Sequence, residues 1–105
     1  MIARIWHGMT RAADGDRYFA FLKSRAVPDY KSVAGNQGVY LMRRSDGDRV
    51  HFLTLTFWDS RESIAAFAGK DIERAKYYPE DKDFLLEFEP TVHHFELAAF
   101  PPEAK

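Results

Sequence analysis

The chain has no cysteine among its 105 residues. This absence excludes disulfide bonds, thiolate nucleophiles and zinc or iron–sulfur sites held by cysteine. The chain also has no excess of charge of either sign, because 15 basic and 16 acidic residues leave a formal net charge of −1. Positive charge is therefore not available to neutralise a phosphate backbone, and we expect no nucleic-acid partner.

Long hydrophobic runs are missing as well. No run approaches the roughly 18 apolar residues of a membrane-spanning helix, and the first residues lack the charged and apolar regions of a secretory signal. We therefore expect a cytoplasmic protein that makes no membrane contact. The sequence also lacks internal repeats, a glycine-rich phosphate loop and the Ser/His/Asp spacing of a nucleophilic triad.

What the chain does contain is enough apolar surface for one core. Hydrophobic residues make up 46% of the sequence and aromatic residues 15%. A single domain commonly spans roughly 100–200 residues, so we expect one domain over residues 1–100. The remaining residues, 101–105, read PPEAK and are predicted to form a disordered tail.

Four strands are predicted from stretches rich in branched and aromatic residues, because side chains of these types favour strands. They cover residues 2–10, 38–45, 49–58 and 91–98. Between the second and third strands, Asp46-Gly47 favours a tight hairpin, since such turns need residues that tolerate positive φ. The stretch 84–88 is compatible with either a strand or a turn.

Two helices are predicted between these strands, over residues 12–26 and from Asp59 to Gly69, followed by a short helical piece over 71–78. Pro28 is expected to end the first helix, because proline disfavours helical geometry in the residue before it. Asp59 lies three residues before Glu62, which is the spacing of a helix-capping pair. Gly69 is a natural C-terminal stop.

The order strand, helix, strand, strand, helix, strand predicts an α+β fold of the ferredoxin-like, split β-α-β kind. In that fold a four-stranded antiparallel sheet carries both helices on one face. The third strand has bulky side chains on both of its faces, so the sheet face without helices also needs a cover. We expect a second copy of the chain to provide it, in a homodimer packed sheet to sheet.

Three stretches resemble the antibiotic biosynthesis monooxygenase family of dimeric α/β-barrel proteins: IARIWHGMT, LTLTFWDSRESIAAFAGKDIERAKYYPED and FEPTVHHFEL. The most specific element of the resemblance is the pattern of Trp58, Ser60, Glu62 and Phe67 at the junction of the third strand and second helix. The resemblance spans Ile2 to about Ala98 and implies a dimer whose subunits each enclose a cavity between sheet and helices. The family includes oxygenases that use no cofactor, haem-degrading monooxygenases and isomerases of small signal molecules.

The haem-degrading members rely on an Asn on the first strand, a Trp in the second helix and a His about ten residues later. An ungapped alignment places His7, Phe67 and Tyr77 at these positions, and none of the three matches. The resemblance therefore favours a protein without a cofactor, with haem kept as an alternative ligand. No metal site is predicted either, because His93 and His94 point to opposite faces of one strand.

The candidate site combines residues from the first strand, the second helix and the segment after it. His7 is expected to face the helices, where an imidazole could transfer protons near neutral pH. Tyr77 is the second candidate catalytic residue, and Trp58, Phe67 and Tyr78 are candidates for substrate binding through their rings. Each of the five also has a structural alternative, as a core side chain satisfied by packing or by one hydrogen bond.

The resulting hypothesis is a monooxygenase that needs no cofactor and acts on a small planar aromatic compound such as a quinol or phenol. His7 would help to form the substrate anion, which would itself reduce oxygen, and Tyr77 or Tyr78 would orient it in a dry pocket. Other readings remain open: a non-catalytic dimer that binds a small hydrophobic molecule or haem, a haem-degrading monooxygenase, or an isomerase of a small carbonyl compound.

Overall fold

The structure, a computed structural model, describes residues 1–98 of the chain. The predicted disordered tail at 101–105 and the predicted domain end at 100 lie outside these residues. No helix within the described part combines the length and the apolarity needed to span a bilayer.

The described residues form a four-stranded sheet with strand order β2-β3-β1-β4, in which every neighbouring pair is antiparallel. The strands are β1 (Ile2–Arg11), β2 (Asn36–Asp46), β3 (Arg49–Trp58) and β4 (His93–Glu96). The predicted ferredoxin-like α+β fold is thus confirmed. The predicted hairpin is confirmed too, since Gly47 adopts a φ of 62° in the turn between β2 and β3.

The first helical segment is continuous and longer than predicted. It comprises a 3-10 turn (Ala12–Asp14), α1 (Gly15–Phe21), a π-helical turn (Leu22–Ala26) and α2 (Val27–Lys31). The predicted end at Pro28 is wrong. Pro28 lies where the π-helical turn passes into α2, so its missing N–H falls where the regular i→i−4 hydrogen-bond pattern is already broken.

The second helix, α3 (Arg61–Ala68), is capped one residue later than predicted. Ser60 is the capping residue, and its Oγ accepts a hydrogen bond from the backbone N–H of Ser63 at 3.1 Å. Asp59 supports the cap from outside, since its Oδ1 accepts from Ser63 Oγ at 2.6 Å. Gly69 ends the helix as predicted, with a φ of 97°.

The short helix predicted over 71–78 is not formed. This stretch instead runs beside residues 90–92, where Ala75 N donates to Pro90 O at 3.0 Å and Val92 N donates to Glu73 O at 2.9 Å. Pairing between segments distant in sequence therefore replaces the local helix. A 3-10 turn over Pro79–Asp83 follows.

The register decides which side chains face the helices. Antiparallel partners lie on the same face, and Trp6 of β1 lies opposite Thr54 of β3, so the even-numbered residues of both strands face the helices. The odd-numbered residues of β1 and β3, together with their partners on β2 and β4, form the other face, which we call the open face. This face carries several partly exposed apolar side chains. Among the partners on β2 and β4, Tyr40 and Phe95 are exposed to 58% and 55%.

Candidate functional site

His7 lies on the open face of the sheet, so the expectation that it faces the helices is wrong. It is paired with Leu53, an odd-numbered residue of β3, and the neighbouring Trp6 points toward the helices instead. The alternation along β1 was read correctly from the sequence, but the assignment of its two faces was reversed.

On the open face His7 belongs to a chain of four polar side chains. Its Nδ1 contacts Glu89 Oε2, its Nε2 lies 2.9 Å from His51 Nδ1, and His51 Nε2 lies 3.2 Å from Asp46 Oδ2. The two imidazole rings are stacked with centroids 5.1 Å apart. All four ring nitrogens are occupied, so the catalytic role of His7 stays a prediction that this geometry does not favour.

Aromatic rings fill the interior between the sheet and the helices. Phe67 stacks on Tyr30 with ring centroids 4.4 Å apart, and Trp6 meets Tyr77 edge-on at 6.2 Å. The cavity left among these rings has a volume of about 10 Å³, roughly the room of one water molecule. It is lined by Trp6, Tyr18, Leu22, Ala26, Tyr30, Thr54, Lys76, Tyr78 and Asp81.

Two of the predicted substrate-binding residues are core side chains in this arrangement. Trp58 is completely buried, and its indole Nε1 donates to Thr56 Oγ1 at 2.8 Å. Phe67 is 6% exposed and packs between Tyr30 and Trp58. A ligand could touch either ring only after the interior opens, so their binding roles remain predictions.

Tyr77 lies at the edge of this interior and is half-buried. Its hydroxyl donates to the backbone carbonyl of Glu89, and its ring contacts Trp6 and Phe88. Burial, together with the negative charges of Glu89 and Asp81, raises the pKa of Tyr77 to about 12. The phenol therefore stays protonated at neutral pH and can act as a hydrogen-bond donor.

Tyr78 and Lys76 form a wall that is held by a single carboxylate. The Tyr78 hydroxyl and Lys76 Nζ both donate to Asp29 Oδ2, the lysine at 3.1 Å. Burial raises the pKa of Asp29, but the two hydrogen bonds and the lysine charge outweigh it and hold that pKa below its usual value. Burial and the hydrogen bond to Asp29 raise the pKa of Tyr78 well above its ordinary range.

The same wall borders an open groove on its outer side. This groove has a volume of about 470 Å³ and is lined by Ser24, Arg25, Pro28, Asp29, Ser32, Lys76 and Tyr78. Lys76 and Tyr78 also line the small interior cavity. The groove and the interior are thus separated by the two side chains that Asp29 holds.

Sequence reasoning missed several residues of this interior, among them Trp6, Tyr30 and Lys76. The register with β3 could have placed Trp6, because Trp58 at a strand-to-helix junction must face the core and its partners share that face. No local signal connects Asp29 with Lys76, because the two residues are 47 positions apart. Within residues 1–98, no group of three or more His, Asp or Glu side chains could hold a metal ion.

Comparisons with known proteins identify similar folds only. No family model and no curated protein matches the chain. A MhuD variant with two manganese protoporphyrin IX molecules per active site has a TM-score of 0.62 and 16% identity, covering 98% of this chain and 100% of that one. The haem degrader MhuD from Mycobacterium tuberculosis, with two haems in its active site, has a TM-score of 0.59 and 20% identity, covering 97% and 100%.

These comparisons correct the expectation that the protein works without a cofactor, because both similar proteins hold metal porphyrins in their active sites. The interior of this chain does not fit a porphyrin in the conformation described. Its cavity of about 10 Å³ is far below the roughly 300–1,000 Å³ of a typical ligand pocket. No histidine lines it, and the hydroxyls of Tyr77 and Tyr78 already donate hydrogen bonds to Glu89 O and Asp29 Oδ2.

Proposed function

We propose that the protein binds a planar aromatic molecule between the sheet and the helices and acts on it as a monooxygenase. The observation that carries this proposal is the wall of Lys76 and Tyr78, which lines the open groove on one side and the aromatic interior on the other. The polar ends of both side chains are held by Asp29, and the Tyr78 ring also contacts Phe21 and Arg25. Opening the wall would break these contacts but none of the hydrogen bonds of the sheet. A flat ligand would then stack among rings that already pack against each other.

Within this proposal Tyr77 is the hydrogen-bond donor that orients the ligand. Its raised pKa keeps the hydroxyl protonated, and an oxygen of the ligand would replace the Glu89 carbonyl as the acceptor of its hydrogen bond. The rings of Phe67 and Tyr78 would stack on the ligand, and Trp58 packs against Phe67 and fixes the position of its ring. Once the interior closes around the ligand, water is excluded from the reacting atoms.

The homodimer is part of the same proposal. Apolar side chains exposed on the open face include Tyr40 (58%), Met42 (42%) and Phe95 (55%). Contiguous apolar surface of this kind is usually covered in solution, and a self-complementary pairing of two sheets would cover it. Sedimentation of a strict monomer at micromolar concentration would contradict the dimer.

Oxygen uptake tests the monooxygenase proposal. A panel of quinols and phenols is added to the purified protein, both as isolated and after incubation with haemin, and uptake dependent on the protein is expected for at least one compound. Tyr77→Phe keeps the ring but removes the donor, so uptake should fall by roughly tenfold or more. Tyr40→Phe, an exposed tyrosine on the open face, is the matched control. No uptake across the panel in either condition would contradict the proposal.

A second candidate function, haem binding, is favoured by the comparisons with porphyrin-bound proteins. Because the described interior has no room for a porphyrin, binding would require a larger opening than a quinol does. Haemin titration followed by absorbance tests this candidate. A saturable Soret shift with no turnover under reductant would support a binding protein, whereas a flat titration would remove haem as a ligand.

A further inference from the structure

Arg4 is a buried cation that faces the helices from the middle of the sheet. The residue is 1% exposed, and its Nε has no hydrogen-bond partner among the described residues. Its Nη2 donates to the backbone carbonyl of Arg74 at a long 3.3 Å. A guanidinium carries five N–H donors, so the long hydrogen bond to Arg74 leaves Arg4 with donors that could bind a further acceptor.

No carboxylate forms an ion pair with Arg4 within residues 1–98. Glu73 is close enough for its negative charge to favour the charged form of Arg4, but its carboxylate does not pair with the guanidinium. Its Oε1 lies 3.3 Å from His94 Nδ1 instead. Burial lowers the pKa of Arg4, and the smaller effects of Tyr30 and Glu73 oppose that shift. An arginine does not lose its proton in a protein, so the interior contains a charge without a partner.

A second cation reaches the same place. The guanidinium carbon of Arg4 lies 5.5 Å from the centre of the Phe67 ring, and Lys76 Nζ lies 4.2 Å from that centre. Lys76 has Asp29 as its counter-ion. Arg4 has no ion-pair partner among residues 1–98, and its guanidinium meets the Arg74 carbonyl, the Phe67 ring and Tyr30 instead. The uncompensated positive charge beside the Phe67 ring is therefore that of Arg4.

From this arrangement we propose that Arg4 is an anion-binding residue and that the ligand of the interior is a planar aromatic anion, such as an aromatic carboxylate. The proposal rests on the function proposed above and narrows its substrate class. The anionic group would pair with the guanidinium through charge-assisted hydrogen bonds, which Arg makes with carboxylates in a two-pronged geometry. The ring would lie beside Phe67, entering past Lys76 and Tyr78 after they leave Asp29.

A matched pair of probes tests the charge requirement. Binding of 2-naphthoate and of the neutral 2-naphthamide is measured by calorimetry at constant ionic strength. The wild-type protein is expected to bind the carboxylate at least about tenfold more tightly than the amide, because only the carboxylate can neutralise the positive charge of Arg4. In Arg4→Met this preference should disappear while the affinity for the amide is retained.

Arg43→Met is the control variant. Arg43 also lies over an aromatic ring, that of Phe19 at 4.1 Å, but it is paired with Asp16 and does not line the interior cavity. Its replacement should leave the preference for the carboxylate unchanged. Arg4→Met should also be at least as stable as the wild type in urea, since replacing a buried unpaired charge by an apolar side chain is often neutral or stabilising.

The outcomes separate this proposal from the one on which it rests. The role of Arg4 would be overturned if the wild-type protein bound both probes equally, or if Arg4→Met preferred the carboxylate as strongly as the wild type does. Either result would leave an aromatic site in place. Failure of both probes to bind would overturn the proposed function itself. Should Arg4→Met not fold, Arg4→Lys carries the test: a preference reduced at least about threefold supports the proposal, and an unchanged preference overturns it.

Discussion

The substitution Phe67→Ala tests whether Phe67 is a tightly packed core side chain or part of a loosely packed pocket wall. The ring is 6% exposed, stacks on Tyr30 at 4.4 Å and lies 5.8 Å from Trp58. Removal of such a ring typically costs about 3–5 kcal/mol of unfolding free energy, from lost transfer energy and from the cavity left behind. The upper half of that range is expected, because Arg4 and Lys76 would also lose the ring face they share.

Urea unfolding measures this cost. With a loss of about 4 kcal/mol and an m-value of about 1.5 kcal/mol/M, the midpoint should fall by roughly 2.7 M. Phe88→Ala is the control, because Phe88 keeps 48% of its surface exposed and, among residues 1–98, its ring contacts only that of Tyr77. Its loss should cost about 1 kcal/mol or less.

A loss below about 1.5 kcal/mol in Phe67→Ala would refute the reasoning, because a ring buried against two others cannot be removed so cheaply unless the interior is loose. A second readout follows from the cavity. The space left by Phe67 is lined by apolar groups, so benzene should bind in the variant and raise its melting temperature, with no such effect in the wild type.

Three further predictions concern other parts of the chain. Ser60→Ala should cost about 1 kcal/mol in thermal unfolding, because it removes the acceptor for the Ser63 backbone N–H at the start of α3. Tyr40→Glu places a charge on the open face and should convert the proposed dimer to a monomer in sedimentation. Burial lowers the pKa of His94 below its usual 6.5, outweighing the opposite effect of Glu73. The unfolded chain therefore binds that proton first, stability should fall as pH drops below 6.5, and His94→Gln should remove this part of the fall in urea titrations.

The framework of this fold was predictable because its signals are local. The alternating residues of β3 and the Asp46-Gly47 turn each act over a few positions, and both were placed correctly. The cap of α3 was displaced only from Asp59 to Ser60, since both side chains can accept hydrogen bonds near the first turn. The order of these elements then indicated the ferredoxin-like fold.

Long-range contacts explain the errors. The helix predicted over 71–78 has favourable residues, but its backbone pairs with residues 90–92, and no local pattern indicates that pairing. The faces of β1 were reversed because the alternation of Trp6 and His7 defines two faces without saying which one meets the helices. The pairing of β1 with β3 resolves that choice, because it puts Trp6 on the same face as the buried Trp58.

The failure of the predicted helix has a consequence for the site. Lys76 and Tyr78 lie on a segment without regular secondary structure, held by a few backbone hydrogen bonds and by Asp29. Such segments open at a lower free energy than the strands and helices beneath them. Arg4, in contrast, is fixed on the central strand β1, between β3 and β4. In the proposed function Arg4 would be the fixed cation, and Lys76 and Tyr78 would be the side chains that move aside to admit a ligand from the groove.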